Sequence, residues 1–377
     1  MELESTSSFS SSSRCLKPPA AGDSATATSK PSPARLAMLT RFHAGYFRIS
    51  LALSGQALLW RRLSEASPEL KEPRPLMRSL PSAAFLLLWS LALLALLALS
   101  ALYAARCLLR FAAVRAEFRH HVAMNYLFAP WISCLLLLQS APWMRPDAPC
   151  YRLLWCAFSL PIIVLDVKIY GQWFTRGRKF LSMVANPASH ITVIANLVTA
   201  RAAARMGWHE GAVAIFAVGA AHYLVLFVTL YQRFLGSDSL PAMLRPVFFL
   251  FFAAPSMASL AWEAISSSFD TCCKMLFFLS LFLFASLVSR PTLFRRAMRR
   301  FSVAWWAYSF PLTALALAAA EYAREVRQPP ANVLMLALAV LSVAVTLALM
   351  LFTALRTADL LPHDDPFYCP PPHLLGR

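Results

Sequence analysis

Charged residues are scarce in this chain, and acidic residues are the scarcest of them. Only 14% of the 377 residues are charged, and just 18 residues are Asp or Glu, whereas soluble domains carry about 25% charged residues. Hydrophobic residues make up 59% of the chain, and the mean hydropathy is +0.57. This balance excludes a water-soluble globular protein and indicates a chain embedded in a lipid bilayer.

The groups that an enzyme, a metal centre or a proton relay needs are not arranged for such a use. The eight cysteines show no C-x-x-C or Cys/His ligand spacing, so neither a metal site nor a disulfide scaffold is expected. His190, His209 and His222 have no acidic residue spaced to partner them. Catalysis requires a convergent set of such groups. We therefore predict a protein that is not an enzyme and that uses no cofactor and no metal ion.

Apolar stretches of bilayer length are abundant instead. Ten of them follow one another from Phe42 onward, each close to the about 20 residues that cross the hydrocarbon core. They run approximately over 42–60, 82–109, 124–142, 151–170, 187–206, 210–231, 243–263, 272–289, 301–320 and 331–355. A helix satisfies its backbone polar groups internally. We therefore predict an all-α polytopic membrane protein with ten transmembrane helices.

Three regions are expected along the chain. Residues 1–40 are Ser-rich and predict a disordered tail, residues 41–355 form the transmembrane domain, and residues 356–377 form a short second tail. An even number of spans puts both termini on one side of the membrane. With the termini inside, the inner segments hold 22 Lys and Arg and the outer loops hold 12, which predicts cytosolic termini. The net charge of +17 thus reflects a basic cytosolic face rather than nucleic-acid binding.

Proline recurs on alternate predicted helices. Pro130 interrupts the third, Pro187 opens the fifth, Pro255 breaks the seventh and Pro311 breaks the ninth, at spacings of 57, 68 and 56 residues. A period of about one helical hairpin suggests stacked hairpins around an axis. Any single proline is equally well explained as an ordinary transmembrane kink. Recurrence on alternate helices favours a central ring of kinked helices, tolerated beside packed protein or a water-lined cavity.

Few charges lie inside the predicted spans. Arg48 lies about two turns into the first helix, where a lone cation facing lipid costs about 2.5 kcal/mol or more. It either faces a water-filled pore or snorkels to the near interface. Asp166 and Lys168 are typical of an interfacial anchor or a packing ion pair. A conduit with so few charges and a basic cytosolic mouth favours anions over cations.

Seven motifs carry a family resemblance. In chain order they read HAGYFRISLALSGQALLW, FAPW, LDVKIYGQW, ANPASH, AAHYLVLFVTLYQR, FFAAPSMASLAW and FSVAWWAYSFPLT. Over residues 41–355 the chain resembles the plant slow-type (S-type) anion channels, in their short-tailed branch, and is more distantly similar to bacterial tellurite-resistance TehA and the fungal malate transporters. The resemblance implies five helical hairpins around a central anion pore lined by the odd-numbered helices. It also implies a homotrimer, or a mixed trimer with homologues, in the plasma membrane.

The resemblance further implies roles for single residues. An aromatic beside the proline of the ninth helix occludes the pore in this family, and the matching residue is Phe310. Such a ring gates by dewetting or by a change of rotamer. A second pore aromatic of the family corresponds to Leu136, and a helix 1 position that is often small in the family corresponds to Arg48.

Regulation is expected at the cytosolic face. The basic residues expected there include Arg115, Arg178, Lys179 and Arg290. They act as topology determinants, or they dock anionic lipid or a phosphorylated tail; the resemblance implies that Arg115, Lys179 and Arg290 hold the tail. Candidate sites for protein kinases in the N-terminal tail are Ser10, Ser11, Ser12, Ser13 and Ser32.

Three functions remain open from the sequence. The first is an anion channel that passes chloride and nitrate across the bilayer and is gated by Phe310. The second is a proton-coupled carrier for organic anions such as malate, with Asp166 as its titrating group. The third is an electrically silent subunit that modulates other channels by mixed assembly.

Overall fold

Every regular element in the described part of the chain is helical. The structure is a computed structural model that describes residues 41–65, 82–120, 122–176, 185–235, 242–295, 297–299 and 301–357. The predictions for the 1–40 tail with its serines, for Arg178 and Lys179, and for the chain after residue 357 lie outside these residues. The predicted all-α polytopic membrane fold is confirmed.

Ten helices of 12 or more residues succeed one another in the described ranges. They are α1 (Arg48–Ser64), α2 (Ser82–Leu109), α3 (Ala129–Ser140), α4 (Pro149–Arg176), α5 (His190–Arg205), α6 (His209–Leu235), α7 (Leu250–Ser266), α8 (Thr271–Val288), α9 (Ser309–Val326) and α10 (Pro329–Leu355). Two short helices, Phe111–Arg119 and Thr292–Arg295, follow α2 and α8. Each predicted span overlaps one of the ten long helices, because apolar composition over bilayer length locates such elements well.

Eight segments of the described chain are long and apolar enough to cross a membrane, and the segments of α1 and α5 are not among them. Both of these helices carry buried polar side chains, Arg48 and Gln56 in α1 and Asn196 and Arg201 in α5. Polar groups at membrane depth are tolerated where they face protein rather than lipid. The count of ten crossings therefore stays a prediction, whereas eight are supported by length and composition.

The five odd-numbered helices form a closed ring. Each packs against the next odd-numbered helix, and α9 packs against α1. A 3₁₀ helix precedes each of them: Ala44–Phe47, Ala123–Phe128, Pro187–Ser189, Ala242–Phe249 and Val303–Tyr308. These five segments also contact one another around the ring. All five helices thus begin at the same end, which we call the N-terminal end of the ring, and finish at its C-terminal end.

The even-numbered helices lie outside this ring. Each packs against the odd-numbered helix that precedes it, which gives five helical hairpins, as predicted. In their most apolar stretches only 17–33% of the residues are buried, against 61–94% for α3, α7 and α9 with their 3₁₀ segments. The outer helices therefore present the apolar surface that lipid chains cover, and the inner ring is free to carry polar groups.

The prolines mark junctions between 3₁₀ and α-helix. Pro130 is the second residue of α3, Pro311 is the third of α9, and Pro187 opens its 3₁₀ segment. Proline is compatible with a first helical turn because the N–H groups there have no intrahelical partner. Pro255 lies deeper, inside α7, and the 3₁₀ segment before that helix has a proline of its own, Pro246. The predicted interruptions of the third and ninth spans are thus changes of helix type near the start.

Candidate functional site

A small cavity lies inside the ring, close to its N-terminal end. All five odd-numbered helices or their 3₁₀ segments line it, through Arg48, Leu51, Tyr126, Ile191, Val247, Leu250, Trp306, Ala307, Phe310 and Pro311. Its volume is about 10 Å³, which is room for about one water molecule. A cavity of this volume has no room for an ion together with its hydration water.

Phe310 forms one wall of this cavity from the first turn of α9. Its side chain is 3% exposed, and its ring packs against Gly55 of α1. A Cβ atom added at Gly55 would lie 3.2 Å from Cδ2 of Phe310, so glycine is what lets the ring approach the helix this closely. The structure thus places Phe310 in the wall of the cavity inside the ring.

Arg48 is the one charged residue among the described residues that line the cavity. Its Nε donates to the carbonyl oxygen of Gly45 at 2.7 Å, and its Cζ lies 4.7 Å from the ring centroid of Tyr126, a cation–π contact. Its Nη1 is buried without a hydrogen-bond partner. This geometry favours the pore-facing alternative over snorkelling, because the guanidinium lies inside the ring and offers a free N–H group there.

We expect Gly55→Val to reseal a passage that has been opened by Phe310→Ala. The added side chain would grow into the space that the Phe310 ring occupies, because Gly55 already touches that ring. The double variant should therefore lose most of the basal anion current that Phe310→Ala gains, at equal surface expression in voltage-clamped cells. Gly171→Val is the matched control, since nothing lies within 4 Å of Gly171. An undiminished current in the Gly55 double variant would contradict this packing.

A buried ion pair holds the chain that leads into the cavity. Arg106 near the end of α2 donates from Nη1 to Oε2 of Glu117 at 2.6 Å, and both side chains are buried. The other oxygen of Glu117 accepts the N–H group of Ala44 at 2.6 Å, at the start of the first 3₁₀ helix. Glu117 therefore ties α2 and the short helix after it to the segment that precedes Arg48. Neither Arg106 nor Glu117 was identified from the sequence as a partner of this segment.

A second polar layer lies at the C-terminal end of the ring. Each odd-numbered helix contributes at least one buried or half-buried side chain to it, among them Arg62, Gln139, Arg201, Glu263 and Glu321. Nε of Arg62 pairs with Oε1 of Glu321 at 2.6 Å, and Arg324 pairs with the other oxygen at 3.1 Å. At the edge of this layer, burial acts to raise the pKa of Glu65, but Arg61 and Arg62 hold it below its usual value.

Most of the remaining predicted site residues lie away from the cavity. Leu136 is buried in α3 but does not line it. Pro130, Pro187 and Pro255 also lie outside its wall, whereas Pro311 belongs to it. The exposed side chains of Arg115 and Arg290 lie in or next to the short helices that pack against the 3₁₀ segments, which puts them at the N-terminal end of the ring.

Asp166 and Lys168 do not form the predicted ion pair. Asp166 is buried in α4 and interacts with the side chain of Asn196 in α5. Nζ of Lys168 lies 2.9 Å from the ring centroid of Phe118 and donates to the carbonyl oxygen of the same residue. Residues two apart on a helix point to different sides, so the ion-pair alternative was wrong, and the interfacial anchor stays a prediction. Asp166 also does not line the cavity.

A closed ring of helices around a narrow central cavity, wrapped by apolar outer helices, defines a multi-pass membrane protein of the channel type. The SLAC1 family, described as voltage-dependent anion channels, matches residues 41–354, and the chain belongs to this family. The resemblance to the slow-type anion channels that the motifs indicated is thereby confirmed.

Close relatives agree with this assignment. The S-type anion channel SLAH1 of Arabidopsis thaliana is 54% identical over 329 residues, which cover 87% of this chain and 85% of the relative. The S-type anion channel SLAH4 of the same plant is 53% identical over 87% of both chains. The guard cell S-type anion channel SLAC1 of Arabidopsis thaliana is 42% identical over 86% of this chain and 58% of its own length.

Proposed function

We propose that this protein is a slow-type anion channel that passes chloride and nitrate down their gradients across the plasma membrane. The observation that carries the proposal is the central cavity, to which all five odd-numbered helices contribute and in which Arg48 is the one charged residue among the described lining residues. A single cation beside a mostly apolar wall attracts anions without binding them tightly, and conduction needs ions that both enter and leave. The family membership of the chain supports the same function.

Phe310 is the proposed gate. The cavity beside its ring holds about one water molecule, so a hydrated anion passes only after the ring has moved. A rotamer change of one aromatic side chain is sufficient for this, and no charged ligand is required.

The cytosolic face is assigned to the N-terminal end of the ring in this proposal. The excess of Lys and Arg in the segments at this end supports cytosolic termini. The exposed Arg115 and Arg290 then face the cytosol, where kinases reach the serine-rich tail. A homotrimer, or a mixed trimer with homologues, completes the proposal on the strength of the family resemblance.

Reversal potentials test the proposed function. The protein is expressed in oocytes, and currents are recorded with chloride, nitrate or gluconate in the bath. We expect reversal potentials that follow the chloride and nitrate gradients and shift strongly in gluconate. Currents that follow the potassium gradient would overturn the proposal. A saturable, proton-driven flux that is lost in Asp166→Asn would instead establish the organic-anion carrier. If the protein gives no current when expressed by itself but alters the currents of a co-expressed homologous channel, it is the modulatory subunit.

Arg48→Gln is expected to reduce anion conductance. A unit charge about 8 Å from a passing ion is worth about 2 kcal/mol at an effective dielectric constant of 20, so its loss should lower anion occupancy by about tenfold or more. Unitary conductance is measured in the Phe310→Ala background, where the current is large enough to resolve. Arg119→Gln removes the same charge from an exposed position at the same end of the ring and should change conductance little. Equal conductance in the two variants would show that the charge of Arg48 does not attract anions into the cavity.

A further inference from the structure

Arg201 is buried with two N–H groups that have no partner. Its side chain is 0% exposed and belongs to the last turns of α5, at the C-terminal end of the ring. Nη1 approaches Oε1 of Gln139 at 3.4 Å, whereas Nε and Nη2 have no hydrogen-bond partner. A buried guanidinium with unsatisfied donors is strongly unfavourable. A hydrogen-bond acceptor bound beside Arg201 would therefore stabilise the folded protein.

The side chains around Arg201 do not accept hydrogen bonds from its Nε and Nη2. Its electrostatic neighbours are Arg62, Arg205, Glu263 and Glu321. Glu321 is already paired with Arg62 and with Arg324. Glu263 remains, and its Oε2 is itself buried without a hydrogen-bond partner. Three arginines and two glutamates leave the group around Arg201 with an excess of positive charge, which favours an anion as the missing acceptor.

The unpaired donors also specify the shape of that anion. Nε and Nη2 form one edge of the guanidinium, and their two N–H bonds are parallel, which suits two oxygens of one planar group. Nitrate and carboxylates present two such oxygens, whereas chloride presents a single acceptor. The C-terminal layer receives side chains from all five odd-numbered helices, so an anion bound here lies within the ring.

We propose that Arg201 forms an anion-binding site at the C-terminal end of the ring that takes a planar oxyanion, nitrate or a carboxylate, in preference to chloride. The assignment of the site to the conduction path rests on the proposed channel function. With the N-terminal end of the ring in the cytosol, the site lies at the extracellular mouth of the pore. Its occupant neutralises a buried guanidinium that the protein alone leaves unpaired.

Ligand-dependent thermal unfolding tests this site without any ionic current. The purified full chain in lipid nanodiscs is titrated with sodium nitrate, sodium acetate or sodium chloride at constant ionic strength. We expect the unfolding midpoint to rise with nitrate or acetate at concentrations where chloride has little effect, because a ligand that binds the folded state stabilises it. Comparison of the nitrate and acetate titrations identifies which oxyanion the site prefers. Equal responses to all three salts would overturn the proposal.

Two substitutions of opposite effect complete the test. Arg201→Lys keeps the charge but removes the two-donor edge, and it should weaken the oxyanion response about tenfold. Glu263→Gln removes the competing carboxylate and should tighten binding several-fold, which keeps the proposal testable if the Arg201 variant does not fold. Arg145→Lys, with a side chain 83% exposed in the loop after α3, should behave as wild type. If the unfolding midpoint of both the Arg201 and Glu263 variants responds to oxyanions as in wild type, the site is refuted. A protein that binds nitrate but conducts no anions would refute only the proposed function.

Discussion

Phe310→Ala is expected to raise the basal anion current by about tenfold or more. The ring of Phe310 is buried in the wall of a cavity of about 10 Å³, and its removal merges this cavity with the space beside Gly55. A continuous water-filled passage then replaces a constriction that holds about one water molecule. A lowering of the barrier by 1.4 kcal/mol suffices for a tenfold increase. The measurement is steady-state current in voltage-clamped cells, normalised to surface expression.

A matched truncation separates gating from loss of packing. Phe277 is also fully buried, but it belongs to the outer helix α8 and stacks on Tyr322 rather than lining the cavity. Phe277→Ala should therefore reduce stability without opening the passage. An unchanged current in Phe310→Ala at normal surface expression would mean that Phe310 is only a packing residue.

Glu117→Ala is expected to destabilise the protein by about 3–5 kcal/mol. The substitution leaves the buried guanidinium of Arg106 without its counter-charge, and breaking a buried pair from one side has a cost of this size. It also removes the acceptor of the Ala44 N–H group at the entry to the first 3₁₀ helix. The free energy of unfolding is measured by SDS titration of the protein in mixed micelles.

An exposed ion pair supplies the comparison for Glu117. Asp147 pairs with Arg145 at 3.0 Å, and their side chains are 67% and 83% exposed. Asp147→Ala should change the free energy of unfolding by no more than about 1 kcal/mol, because water screens such pairs. Equal effects of the two substitutions would show that the pair of Arg106 and Glu117 contributes no more to the free energy of unfolding than a surface ion pair does.

The sequence was sufficient to locate all ten long helices, although length and hydropathy support only eight of them as membrane spans in the described chain. Apolar composition over bilayer length is a local property, and hairpins follow from chain order. The alternation of proline correctly indicated that the odd-numbered helices differ from the others. It did not reveal that each begins as a 3₁₀ helix, since the first, fifth and seventh do so without a proline at the start of the α-helix.

The residues around the cavity were only partly predictable. Phe310 is one phenylalanine among 27, and only the family resemblance distinguished it before the structure placed it in the cavity wall. Arg48 was recognisable because a charge inside an apolar span is costly. The partners of these residues come from distant parts of the chain. The spacing of residues within a local motif cannot identify such contacts.

The C-terminal layer was missed for the same reason. Arg62 and Glu321 are 259 residues apart in sequence, so no motif joins them. Arg201 lies near the end of the predicted span 187–206, and nothing in the local sequence shows that its side chain is fully buried. Charge counting predicts the orientation of a membrane protein, but it does not distinguish a solvated arginine from one enclosed by five helices.

Anion flux from liposomes that contain only this protein tests the central claim most directly. Purified wild type and Phe310→Ala are reconstituted separately, the vesicles are loaded with chloride or nitrate, and efflux is recorded with valinomycin to balance charge. We expect slow efflux from wild-type vesicles and rapid efflux of both anions from Phe310→Ala vesicles, with no proton gradient required. Efflux that needs a proton gradient, or equal and negligible efflux from both folded proteins, would contradict a self-sufficient anion channel gated at Phe310.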